Sequence, residues 1–68
     1  MAKYACYFVD VADRFNGVES VNAATDADAL TYAKQLLRRE RHTRAIEVWH
    51  EAQLVGRIDR EHSSREMI

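Results

Sequence analysis

Thr25-Asp26-Ala27-Asp28-Ala29-Leu30-Thr31-Tyr32-Ala33-Lys34-Gln35-Leu36-Leu37 carries a helical period, and the fold follows from what flanks it. Thr25 suits an N-cap, where a hydroxyl accepts from free amides, and Asp28 makes a short-armed capping box with it. On a 100° wheel Ala29, Leu30, Ala33, Leu36 and Leu37 share one arc, with Tyr32 at its edge. Thr31, Lys34, Gln35, Arg38 and Arg39 fall opposite. The spacing predicts one amphipathic helix from Thr25 to about Arg41. Its alanine-rich stripe lets it approach a sheet closely.

Before the helix, residues 4–11 are aromatic and β-branched and read as a strand. Ala5, Tyr7, Val9 and Val11 form one face and Tyr4, Cys6 and Phe8 the other, as in a strand covered on both sides. Asn16-Gly17 suits a two-residue hairpin turn, because both positions need positive φ. That register sets Arg14 opposite Glu19 and begins a second strand at 18, ending near 24.

After the helix, residues 44–50 and 54–60 read as a second strand pair joined by 51–53. The faces then agree: Ile46 opposes Ile58 and Val48 opposes Gly56 on the helix side. Glu47 opposes Arg57 and Trp49 opposes Val55 on the other. A one-residue slip would put Trp49 under the helix instead. Gly56 inside a strand marks a bulge or a close approach of the helix.

The predicted fold is α+β, in the order ββαββ. It is a four-stranded antiparallel sheet of spatial order 2-1-3-4 with one helix on one face. Residues 1–60 form this single domain, and residues 61–68, which show no period, are expected to be a flexible tail.

Composition narrows the rest. The chain has 68 residues, 47% of them hydrophobic, but ten of those are alanine. A chain this short buries only about 60% of its unfolded surface, so pairing with another chain is the usual support. One cysteine excludes an internal disulfide framework. Neither a membrane-spanning apolar run nor a secretory leader is visible, and a cytoplasmic location is expected. The formal net charge of −1 argues against a general nucleic-acid binder.

The hairpin Ala45-Ile46-Glu47-Val48-Trp49 with Leu54-Val55-Gly56-Arg57-Ile58 resembles the closing hairpin of short bacterial proteins of unknown function. The aromatic opening strand and the Thr-Asp-capped Ala/Leu helix resemble the same proteins. Most of residues 4–58 is covered, on packing positions alone. The likeness implies a ββαββ fold and carries no activity, cofactor or catalytic residue. Thr25-Asp26-Ala27-Asp28-Ala29-Leu30 with Ala33 is also similar to the sheet–helix unit of HicB-type antitoxins. The glycine- and proline-containing segment that precedes the helix in that family is missing here.

No catalytic set can be assembled. Ser20, Ser63 and Ser64 lack an oriented base and a glycine-rich elbow. His42, His50 and His62 share no metal-type spacing with one another or with Cys6, so neither metal nor cofactor is expected. Cys6 reads as a small buried hydrophobe. Lys34, Arg38, Arg39, Arg41, His42 and Arg44 form a cationic run opposed by Glu40 alone. It complements the negative end of the helix dipole, and it is also a candidate anion or nucleic-acid patch.

The expected function is therefore non-enzymatic: a homodimerising or protein-binding module, of regulatory kind, using the uncovered sheet face. Trp49 would anchor that face, with Tyr7, Val9 and Val55 around it. The alternative is a nucleic-acid-binding or HicB-like antitoxin module using the Arg-rich helix end.

Overall fold

Residues 1–60 are described by a computed structural model; the tail expected at 61–68 lies outside the described residues. Strands β1 (Ala2–Asp10) and β2 (Phe15–Ala23) precede helix α1 (Asp26–Arg39), and β3 (Thr43–His50) and β4 (Gln53–Asp59) follow it. The sheet order is β2-β1-β3-β4, with every neighbouring pair antiparallel. This is the α+β, ββαββ arrangement read from the sequence.

The core lies between α1 and one face of the sheet. Cys6, Ile46 and Val48 are fully buried beneath Ala29, Ala33, Leu36 and Leu37. Alanine at 29 and 33 lets the helix settle on the sheet. Gly56 shows how closely it sits, because a Cβ there would lie 2.9 Å from Leu30 Cδ2. Hydrogen bonds tie the helix down along its length. The Tyr4 hydroxyl donates to Asp26 (2.7 Å) and that of Tyr32 to Glu19 (3.0 Å). Thr25 caps the start, its Oγ1 accepting from the Asp28 amide at 3.1 Å.

The helix stops at Arg39, two residues short of expectation, with Glu40 in extended backbone as C-cap. Arg60 closes that end. Its guanidinium donates to the carbonyls of Leu37 and Glu40, and its Nε to that of Thr43 at 3.0 Å. The Leu37 carbonyl at the helix terminus is thus served from a different part of the chain, and that of Glu40, which also accepts from the Thr43 amide at 3.3 Å, gains a second donor.

The first hairpin turns earlier than Asn16-Gly17. Cys6 pairs with Glu19 and Phe8 with Gly17, so Arg14 does not oppose Glu19. The turn is built by Asp10, whose Oδ1 accepts from the amides of Ala12 (2.9 Å) and Arg14 (3.0 Å), while Asp13 takes φ 66°. An Asp that bonds its own downstream backbone is a turn former in its own right. This register pairs β1 from Ala2 onward, whereas a turn at 16–17 would leave most of its backbone groups unpaired on that edge. Asn16 becomes the extra residue of a bulge.

The second hairpin holds the predicted pairs Ile46–Ile58, Glu47–Arg57 and Val48–Gly56. Beyond them the register shifts, and Trp49 pairs with Leu54 instead of Val55. The connection is two residues long, with Glu51 at φ 58°, and His50 already pairs with Gln53. A bulge at Val55 absorbs the difference. Val55 packs with the cluster under the helix.

Candidate functional site: the open face of the sheet

Paired residues of an antiparallel ladder share a face, so the registers lay out the side away from α1 as three rows. Ser20, Ala5, Trp49 and Leu54 cross the sheet in the first row. Val18, Tyr7, Glu47 and Arg57 form the second, and Phe15, Val9, Ala45 and Asp59 the third. Exposed large hydrophobic side chains concentrate here. Tyr7 is 37% exposed, Leu54 52%, Val18 56% and Phe15 63%. The rings of Tyr7 and Phe15 meet edge to face, 5.7 Å between centroids.

A polar network crosses the same face. Arg57 donates from Nη1 to Glu47 Oε2 at 3.1 Å, lies 3.4 Å from Asp59, and reaches Asp13 at 3.8 Å. Since β3 and β1 lie between β4 and the Asp13 turn, this reach crosses the sheet near Val9 and Ala45. Those two are only 3% and 0% exposed. Glu47 Oε1 also accepts from the Trp49 indole N–H at 3.1 Å, which fixes the ring on this face.

The four expected interface residues therefore part company. Tyr7 and Trp49 lie on the open face, Val9 is covered by its own chain, and Val55 belongs to the helix side. Phe15, Val18 and Leu54, which complete the exposed patch, were missed by the sequence reading. The only signal for them was their alternation, and that depended on register.

No family model, curated protein or solved structure matches this chain. Its own geometry is what bears on function.

The cationic residues divide similarly. Lys34, Arg38 and Arg39 are exposed on α1, Arg41 is exposed after it, and Arg44 is half-buried in β3. Lys34 and Arg38 line a groove of about 420 Å³ with Leu37, Ile58 and Arg60. Arg60 was not among the expected cations of this patch.

Three ionisable groups are shifted by their surroundings. Burial pushes the Cys6 thiol up, with Glu19 adding to it. The hydrogen bond to Asp26, then burial, raises the Tyr4 phenol, and the bond to Glu19 raises Tyr32. The ring of His50 stacks on Tyr4 with centroids 4.9 Å apart. Among the described residues no three of His, Cys, Asp and Glu converge as metal ligands, and no helix is long and apolar enough to cross a membrane.

Proposed function

We propose that this chain is a small non-enzymatic module that works as a homodimer, burying the open sheet face against a second copy. The observation that carries this reading is the gathering of Tyr7, Phe15, Val18 and Leu54 on one face that no described element covers. Contiguous apolar surface on a small domain marks an interaction site. Closed two-fold pairs are the commonest assembly, and large aromatics supply much of their interface energy. The reading is tested by light scattering across a concentration series. A mass near twice 7.9 kDa is expected at micromolar chain. A monomer at all concentrations up to the millimolar range contradicts it.

A second reading rests on the groove between α1 and β4. Lys34, Arg38 and Arg60 surround an apolar floor of Leu37 and Ile58, with no acid in the lining. Such a surface suits a phosphate-bearing partner, nucleic acid included. Retention on DNA or RNA that weakens steeply with salt, and is lost in Lys34→Gln/Arg38→Gln, is the expected result. Unchanged retention in that variant removes the groove from consideration. The antitoxin form of this reading further expects a toxin encoded beside the chain.

A further inference from the structure

The open face sets small residues beside a large one. Ala5 and Ser20, both small, stand beside Trp49 in the first row. They line a trough of about 500 Å³ that is bounded by Trp49 and flanked by Lys3 and Glu51. The large, half-buried Trp49 ring thus lies beside a hole at that end of the sheet, and an isologous interface can pair the two.

Resting on the dimer reading above, we infer that the two copies meet about a two-fold axis that runs parallel to the strands, along the midline between β1 and β3. This axis keeps each row level and reverses its order. Trp49 of one copy then faces Ala5 of the other, and Leu54 faces Ser20, so large meets small twice in each direction. In the second row Glu47 faces Tyr7 and Arg57 faces Val18, and in the third Asp59 faces Phe15 and Ala45 faces Val9, so no like charges are opposed and the apolar side chains of one copy cover the internally paired Arg57 cluster of the other. At the mouth of the trough, Lys3 faces the side that carries Glu51. An axis along the second row instead would stack Glu47 on Glu47 and Arg57 on Arg57, which like-charge repulsion disfavours. An axis along the first row would put Trp49 on Trp49 and leave both troughs empty. The midline arrangement alone of these three seats each indole in the other copy's trough.

Complementary size variants test the arrangement. Ala5→Phe fills the trough and Trp49→Ala removes the knob, and both changes lie on the surface away from the core. Each variant alone should dimerise on the order of thirtyfold more weakly than wild type, the loss typical of a removed interface anchor. Mixed in equal amounts, they should form a heterodimer. The Trp49 of the Ala5→Phe copy meets an empty trough, and the ring introduced by Ala5→Phe meets the space left by Trp49→Ala. Native mass spectrometry of the mixture, with one variant isotopically labelled, reads this directly. Circular dichroism checks that both variants stay folded. A wild-type dimer whose variants dissociate without heterodimer rescue, or do not weaken at all, overturns the arrangement and leaves the dimer reading standing. A monomeric wild type overturns both.

Discussion

The guanidinium of Arg60, just beyond β4, donates to the carbonyl of Leu37 in the last turn of α1. It also serves Glu40 and Thr43, so one side chain ties the helix end to β4 and to the start of β3. Arg60→Ala should cost about 1.5–3 kcal/mol, the range for hydrogen bonds to a charged group. Arg60→Lys should recover only part of this, because an ammonium lacks the planar fork that reaches several carbonyls at once. Urea denaturation of the two variants checks the order. Equal stability of both with wild type would show that the carbonyls are satisfied by water.

Gly56 sits under Leu30, and the helix approach leaves little room for a side chain. A Cβ would stand 2.9 Å from Leu30 Cδ2, the free end of a half-buried side chain. Gly56→Ala should therefore cost at most about 1 kcal/mol, as Leu30 turns aside. Gly56→Val, whose methyls meet the helix itself, should cost about 1–3 kcal/mol. Thermal unfolding of the pair measures the difference, and equal melting temperatures would contradict the close approach.

The phenols of Tyr4 and Tyr32 link stability to alkaline pH. Both are raised above the ordinary value of 10.0, each through a hydrogen bond to a carboxylate first of all. A raised value means that folding favours the protonated phenol. The stability this supplies is present in full below about pH 10, and it is lost as pH climbs through the raised values. The double variant Tyr4→Phe/Tyr32→Phe should show a flatter decline of unfolding free energy above that pH. Parallel curves for variant and wild type would remove these bonds from the account.

Cys6 is fully buried in β1, and burial raises its thiol. The thiolate is the reactive form, so an aromatic disulfide reagent should label the folded chain only as fast as it opens. Labelling should rise with urea in step with the loss of helical ellipticity. Rapid labelling of the native chain would place Cys6 outside the core.

Much of this fold is legible in residues 25–37 and 44–58. The alanine and leucine stripe of α1 and the pairs Ile46–Ile58 and Val48–Gly56 need only periodicity to find. Asn16-Gly17 misleads, because local turn preference is weaker than the demand of β1 for a full ladder. Asp10, whose carboxylate builds the real turn, looks in sequence like any solvated acid. Bulges are equally silent. The one at Val55 moves that residue to the helix side and brings Leu54 beside Trp49, an exchange no alternation rule foresees. Because a candidate interface is made of residues sharing a face, each bulge redraws it. Trp49 and Tyr7 stand where expected, while Phe15, Val18 and Leu54 enter only once the registers are known.

Burial of the open face against a second copy is probed at Val18 without disturbing the core. That residue is 56% exposed in the middle of β2, so Val18→Lys leaves the monomer fold intact. Sedimentation equilibrium of wild type and Val18→Lys at matched concentrations is the most direct test. Twice 7.9 kDa is expected for the wild type and a single 7.9 kDa species for the variant, with identical circular dichroism. A wild type that sediments as a monomer, or a variant as dimeric as its parent, would contradict that burial.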